Sequence, residues 1–197
     1  MKTTLVIASN NQHKIAEIKT LLNGYFDVIL SLAEADINCN PDENGTTFMQ
    51  NALLKVNEVA KHTTHAVIAD DTGLCVNALN GAPGVKSARY AGNHDNAKNR
   101  DKLLYELFNK TDKSAYFATA VALRYPNGEI ITAEGSVEGY IISQEKGSNG
   151  FGYDSIFYCT DLGKTFGEAS EEEKNSVSHR ARALNNLLSK INTNLRK

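Results

Sequence analysis

A long hairpin in the middle of the chain is the feature that most constrains the fold. Large and small side chains alternate over residues 117–125, the triplet Pro126-Asn127-Gly128 follows, and residues 129–142 continue as a second long segment. Alternation with a period of two is typical of a β-strand, and the triplet is typical of the turn that joins two strands. Strands this long predict a sheet that extends through more than one lobe of the protein.

The remaining apolar residues predict alternating strands and helices. β-branched runs indicate strands, and apolar side chains at helical spacing indicate helices. The predicted strands cover residues 3–8, 26–32, 66–69, 74–76 and 156–158, and the predicted helices cover residues 15–22, 46–61, 96–108 and 177–192. Strand and helix alternation followed by a hairpin predicts an α/β fold, in which a mixed sheet is flanked by helices.

Composition excludes several classes of protein. Apolar residues make up 41% and charged residues 22% of the 197 residues, as in an ordinary globular chain that buries a core. The net charge of −2 provides no overall attraction to nucleic acid or to an anionic membrane. No apolar stretch is long enough for a membrane span or a signal peptide. We therefore expect a cytoplasmic protein that binds neither nucleic acid nor a membrane.

The three cysteines are expected to be reduced structural thiols. Cys39, Cys75 and Cys159 are odd in number and widely spaced, and no Cys-x-x-Cys pair occurs. This spacing argues against a disulfide framework and against a zinc site.

An acidic pair follows the apolar run 66–69. Asp70 and Asp71 come next in the chain, and Thr72 and Gly73 follow them. A strand that delivers two carboxylates into a glycine-containing turn at the rim of a sheet can bind Mg2+. The alternative is a turn whose side chains bond only to local backbone N–H groups, and the pattern taken alone favours this alternative.

The junction between the first strand and the first helix suggests a phosphate site. Ser9, Asn11 and Lys14 lie where the first strand gives way to a helix, whose N-terminus can bind an anion. An N-cap beside a solvated lysine explains the same residues equally well. Lys55 lies opposite an apolar helix stripe, so its spacing predicts a solvated side chain.

A glycine-rich loop and a basic pair could contact a nucleobase. Gly150, Phe151, Gly152 and Tyr153 combine close backbone approach with an aromatic face, although a plain lobe junction would use similar residues. His179-Arg180 could donate hydrogen bonds to carbonyl oxygens of a base, and the alternative is a solvated pair. Together with the acidic pair, these groups indicate a pocket for a nucleoside polyphosphate and Mg2+.

Six ordered blocks span nearly the whole chain: Ser9-x-Asn11-x-x-Lys14-x-x-Glu17, Gly45-Thr46-Thr47-Phe48, Asp70-Asp71-Thr72-Gly73-Leu74, Gly81-x-Pro83-Gly84-Val85-x-Ser87-Ala88-Arg89-Tyr90, Gly150-Phe151-Gly152-Tyr153-Asp154 and Ser178-His179-Arg180. In this order they resemble the inosine triphosphate pyrophosphatase family, the house-cleaning purine nucleoside triphosphatases. The resemblance implies one domain over residues 1–197 with two lobes, a long central mixed sheet and a nucleotide cleft between the lobes. It also implies a homodimer that hydrolyses ITP, dITP and XTP to the monophosphate and pyrophosphate.

The resemblance also implies roles for individual residues. Asp71 is similar to the family's catalytic acid residue and metal ligand, with Glu43 as companion ligand for Mg2+ and Asp70 as a further candidate. The triphosphate-binding turn corresponds to Ser9, Asn10, Asn11 and Lys14. The other substrate contacts implied are Lys55, Thr72, Phe151, Gly152, Tyr153, Asp154, Lys174, His179 and Arg180.

Three positions depart from the family pattern. Lys86 replaces a common tyrosine, Ser155 replaces a proline, and Gln50 replaces a glutamate close to Glu43, which weakens the assignment of the second metal ligand. Two other functions remain open at this point: a pyrophosphatase for other modified nucleotides, and a nucleotide sensor that binds without hydrolysis.

Overall fold

The computed structural model describes residues 3–92 and 94–194. Its strands and helices, in chain order, are β1 (Thr4–Ile7), α1 (Gln12–Leu21), β2 (Val28–Ser31), α2 (Phe48–Val59), β3 (Ala66–Val76), two 3-10 helices (Asn77–Leu79 and Gly84–Arg89), α3 (Asn96–Leu107), β4 (Ser114–Arg124), β5 (Ile130–Ile141), β6 (Phe157–Cys159), β7 (Lys164–Thr165), α4 (Glu171–Val177) and α5 (His179–Asn194). No helix within the described ranges is both long and apolar enough to cross a membrane.

The strands found in the described residues form one mixed sheet. Its order is β2-β1-β3-β4-β5-β6-β7. β1 runs parallel to β2 and to β3, whereas β6 is antiparallel to both β5 and β7. Tyr125 and Gly128 close the turn between β4 and β5, since Tyr125 N donates to Glu129 O at 2.8 Å and Gly128 N donates to Tyr125 O at 2.9 Å. The predicted hairpin and the predicted mixed sheet flanked by helices are confirmed.

The chain divides into two compact units. The first comprises Met1–Asp71, Thr119–Gly135 and Ala183–Lys197, and the second comprises Thr72–Ala118 and Ser136–Arg182. The boundary falls within each of the long strands β3, β4 and β5. These strands therefore contribute residues to both units, as their length predicts.

The first unit has a core on each face of the sheet. Leu5 and Ile68 pack with α1 and α5 in one cluster, while Val6 and Val67 pack with α2 in the other. Successive side chains of a strand point to opposite faces, and this alternation assigns neighbouring residues of β1 and β3 to different clusters. The face of the sheet to which a side chain of β3 points therefore decides which helix that side chain contacts.

The core of the second unit is rich in aromatic rings. Phe117 meets Phe157 edge to face, with ring centroids 4.8 Å apart, and stacks on Phe166 with centroids 6.1 Å apart. Leu74 of β3 and Leu103 of α3 are fully buried in the same cluster. The loops and short helices of this unit are therefore attached to a packed apolar centre.

Two sequence predictions about these elements are wrong. Residues 66–76 form one continuous strand, so Asp70 and Asp71 lie inside a buried strand and not in a turn at the rim of the sheet. The last helix was predicted to begin at residue 177, but it begins at His179 because Ser178 has an extended backbone, and Glu171–Val177 forms the separate helix α4.

A capping box explains α4. The Ser170 hydroxyl accepts from Glu173 N at 3.1 Å, and Ser170 N donates to the Glu173 carboxylate at 2.8 Å. This Ser-x-x-Glu pattern is a signal of a helix start that the sequence already contained.

Candidate active site

Asp70 and Asp71 are adjacent in β3 but point to opposite faces of the sheet. Asp70 continues the phase of Ile68, on the side of α1, and Asp71 continues that of Ala69, on the side of α2. Only 1% of Asp70 and 5% of Asp71 is exposed. A buried carboxylate needs compensating partners, and the nearest lysine of each of these two lies on a different helix.

Asp70 is held by the start of α1. Its Oδ2 lies 3.3 Å from Lys14 Nζ. Asn11 is the N-cap of this helix, because its Oδ1 accepts from Lys14 N at 3.3 Å, and Ser9 Oγ accepts from Asn11 N at 3.2 Å. Asn10 and Asn11 are exposed. The predicted N-cap is confirmed. The prediction that Lys14 is solvated is wrong, because Lys14 pairs with a buried carboxylate.

Asp71 is held by α2 and by the loop before it. Asn51 Nδ2 donates to Asp71 Oδ2 at 2.9 Å, and Lys55 Nζ lies 3.7 Å from Asp71 Oδ1. The same ammonium donates to Glu43 Oε1 at 2.9 Å. Asn51 and Lys55 are one helical turn apart, so both reach the same carboxylate. The prediction that Lys55 is solvated is wrong, since only 6% of it is exposed.

Asn51 is a site residue that the sequence prediction missed. It is fully buried, and its Oδ1 accepts from Gly45 N at 2.8 Å. A Cβ at Gly45 would lie 2.6 Å from that oxygen, so glycine is needed for this contact. Gln50 accepts from Thr46 N at 2.8 Å and so helps to hold the same turn. The sequence contains no local signal for this role, because only the fold buries Asn51.

Burial sets the protonation behaviour of this group. It raises the pKa of the Asp71 carboxyl above its usual range, and the opposing effects of Lys55, Lys14 and the Asn51 hydrogen bond do not cancel the shift. Burial alone would lower the pKa of Lys55, but the carboxylates around it outweigh burial and raise the pKa. Lys55 is therefore a cation at neutral pH, and Asp71 is a stronger base than an ordinary aspartate.

We expect the pKa of Asp71 in the metal-free protein to exceed the ordinary value of 3.8. Asn51→Leu should raise the pKa further, because the lost hydrogen bond favours the ionised carboxylate. NMR titration of the carboxyl carbon measures both values. Asn57→Leu, an exposed position on the same helix, should leave the pKa unchanged. A pKa at or below 3.8, or a decrease in Asn51→Leu, would contradict this account.

The second unit contains a buried ion pair at the glycine-rich loop. Lys174 Nζ donates to Asp154 Oδ2 at 2.8 Å, and both side chains are buried. The same oxygen accepts from Phe151 N at 2.8 Å, and the Lys174 ammonium lies 4.9 Å from the centroid of the Phe151 ring. A Cβ at Gly150, which has a φ of +72°, would lie 2.1 Å from this carboxylate. The predicted members Phe151, Asp154 and Lys174 are thus brought together.

His179 and Arg180 are both buried, so the alternative of a solvated pair is wrong. Arg180 is fully buried, and its NH2 donates to Thr72 Oγ1 at 3.2 Å. The His179 ring stacks on Phe117 with centroids 4.7 Å apart. The threonine hydroxyl after the acidic pair is therefore held by an arginine from the start of α5.

The other members of the predicted loop are fixed through the second unit. The Tyr153 hydroxyl donates to Ser87 O at 2.9 Å, and Gly152 O accepts from Arg100 NH1 at 2.9 Å. The Ser87 hydroxyl in turn accepts from Leu74 N at 2.9 Å. The loop is thereby tied to β3 and α3 of its own unit.

The two groups offer different chemistry. The group in the first unit combines buried carboxylates with two lysines, which suits a divalent cation and phosphates. The group in the second unit combines directed donors with an aromatic ring, which suits a planar heterocycle.

Comparisons with known proteins point to one family. The profile of the Ham1 family matches residues 5–190. A Leuconostoc mesenteroides protein named dITP/XTP pyrophosphatase is 45% identical over 192 residues, which cover 95% of this chain and 96% of that protein. A Haemophilus influenzae protein of the same name is 45% identical over 198 residues, which cover 97% of this chain and 100% of that protein.

Solved structures share the fold. The Ham1 protein of Staphylococcus aureus superposes with a TM-score of 0.86 at 41% identity, covering 98% of this chain and 100% of its own. A HAM1 protein from Coxiella burnetii gives a TM-score of 0.86 at 38% identity, covering 98% and 99% of the two chains. The similarity extends over nearly the whole chain.

Proposed function

Because this chain belongs to the Ham1 family, we propose that it is a nucleoside triphosphate pyrophosphatase that hydrolyses ITP, dITP and XTP to the monophosphate and pyrophosphate. The observation that carries the proposal is the similarity, over nearly the full length, to relatives named dITP/XTP pyrophosphatase. The buried carboxylates and lysines of the first unit support it, because they suit a charged phosphate chain.

The carboxylates of the first unit suit Mg2+. This ion prefers oxygen ligands, and every candidate ligand here is a carboxylate. The Lys55 ammonium contacts both Glu43 and Asp71, so a positive charge already compensates these two groups in the structure. We assign Asp71 and Glu43 as ligands, with Asp70 as a further candidate. Bound there, Mg2+ would neutralise charge on the triphosphate and on the departing pyrophosphate.

The residues of the chain provide the remaining steps. Asp71, with its raised pKa, accepts a proton from the water that attacks the α-phosphorus. Lys14 and Lys55 oppose the negative charge of the phosphates, and the capped start of α1, with Ser9, Asn10 and Asn11, contacts the phosphate chain.

Base selectivity is assigned to the second unit. The resemblance gives this role to residues 151–154, His179 and Arg180, and it gives Lys174 a contact with either the phosphates or the base. Arg180 also holds Thr72. Hydrogen-bond donors suit the six-position oxygen of hypoxanthine and xanthine. The amino group of adenine would face them donor to donor, which a buried site rejects strongly.

A substrate panel tests the proposed function. With Mg2+, the purified protein should release pyrophosphate from ITP, dITP and XTP at least about 100-fold more efficiently than from ATP, as expected for donor mismatch in a buried site. Chromatography of the nucleotide products measures both specificity and the position of cleavage. Equal cleavage of ATP would contradict the proposal. Preference for modified pyrimidines would favour the alternative of a pyrophosphatase for other modified nucleotides, and binding without turnover would indicate a nucleotide sensor.

Three further features stay predictions. The use of Mg2+, a homodimer and a cytoplasmic location rest on the resemblance and on the amino-acid composition.

A further inference from the structure

A second cluster of metal-binding side chains lies in the first unit, apart from the carboxylates of β3. The ligand atoms of Cys39, Glu58 and His62 all lie within 4.8 Å of one another. Within the described part of the chain, this is the one group of three or more Cys, His, Asp or Glu side chains that meets this distance. We propose that these three residues form a binding site for a thiophilic divalent cation, with Zn2+ as the best match.

The fold holds the three side chains in place. Glu58 lies in the last turn of α2, and the chain continues this turn because His62 N donates to Val59 O at 2.9 Å. Glu58 and His62 are four residues apart, a spacing that places side chains on the same helical face. Cys39 comes from the segment after β2 and packs against the apolar cluster that includes Val56 and Val59.

The donor atoms select the kind of metal. A thiolate, an imidazole and a carboxylate are all ligands of Zn2+, and the thiolate disfavours Mg2+ and Ca2+. Three protein ligands leave one position of a tetrahedral ion for water. Binding releases the proton of the Cys39 thiol, since the thiolate is the ligand, so affinity falls as the pH is lowered.

A lysine competes for the site without blocking it. Lys61 Nζ lies 2.5 Å from Glu58 Oε2, whereas Glu58 Oε1 lies 3.9 Å from His62 Nε2. One carboxylate oxygen therefore pairs with lysine while the other faces the imidazole. Ligand atoms around tetrahedral Zn2+ are roughly 3.3–3.8 Å apart, so closing the site takes a movement of about 1 Å. His62 is exposed and Glu58 is half-buried, which allows this adjustment.

This proposal revises the expectation that the three cysteines have only structural roles. That expectation rested on the number of cysteines and on their spacing from one another along the chain. Here the partners of the thiol are a histidine and a glutamate, and the fold alone brings them close to Cys39.

Titration of the full-length protein with Zn2+, in buffer with excess Mg2+, tests the proposal. We expect one equivalent to bind by calorimetry, and Co2+ in its place should show thiolate-to-metal charge-transfer absorption. Cys39→Ser and His62→Gln should each weaken binding at least about 10-fold and abolish or reduce that absorption. Lys61→Met should strengthen binding, because it removes the competing cation.

The control is His65→Gln, an exposed histidine outside the cluster, which should bind as the unchanged protein does. Circular dichroism checks that each variant is folded. If Cys39→Ser does not fold, His62→Gln still tests the site, because His62 is exposed. Absence of Zn2+ binding, absence of the thiolate absorption, or binding unaffected in a folded Cys39→Ser or His62→Gln protein would each overturn the proposal.

Discussion

Asp71→Asn is expected to lower kcat/KM for ITP by about 1,000-fold or more while the protein stays folded. The substitution removes the base and the charge that would hold Mg2+, but it keeps the size of the side chain. The amide oxygen can still accept the hydrogen bond that Asn51 donates at 2.9 Å, so the packing around β3 should survive. Steady-state kinetics with Mg2+ and thermal unfolding measure the two effects.

Asp70→Asn is the matched control. This neighbour is equally buried but points to the other face, where it pairs with Lys14. We expect a smaller loss than in Asp71→Asn, because Asp70 compensates a lysine and is not the proton acceptor. Near-normal turnover by folded Asp71→Asn would remove Asp71 from the mechanism.

Lys174→Met is expected to destabilise the protein by about 3–5 kcal/mol, because it leaves a carboxylate buried without its ammonium partner. Lys174 and Asp154 are both buried and 2.8 Å apart, and the Phe151 N–H compensates the carboxylate only in part. Urea unfolding, monitored by circular dichroism, measures the change in the free energy of unfolding.

Two further variants distinguish the effect of burial on stability from the effect of losing a lysine. Lys164→Met breaks a pair of equal length with Glu173 in which both side chains are partly exposed, so it should cost at most about 1 kcal/mol. The double variant Asp154→Asn with Lys174→Met should recover much of the lost stability, because no uncompensated charge remains. A cost for Lys174→Met no greater than that of Lys164→Met would contradict this interpretation.

The sheet was largely predictable from local patterns. The alternation over residues 117–125 and the Pro126-Asn127-Gly128 turn are properties of neighbouring residues, and the structure contains the hairpin they predict. β3 was predicted wrongly for a physical reason. Two carboxylates inside an apolar strand cost too much unless cations from elsewhere compensate them, and Lys14 and Lys55 do so from distant positions in the chain.

The site was less predictable because its partners are remote in sequence. Helical spacing placed Lys55 on the solvent side, yet three carboxylates retain it in the interior. Asn51 was missed because nothing nearby in the sequence shows that it will meet Asp71, twenty residues later. Arg180 and Thr72 are 108 residues apart, so their hydrogen bond could be anticipated only from the family resemblance.

The most direct test of the proposed chemistry is a labelling experiment. The protein hydrolyses ITP, with Mg2+, in water enriched in a heavy oxygen isotope. If water activated at Asp71 attacks the α-phosphorus, mass spectrometry will find the heavy oxygen in the product IMP and none in pyrophosphate. Heavy oxygen in pyrophosphate or in inorganic phosphate, with unlabelled nucleotide, would show attack at another phosphorus and would contradict the proposed function.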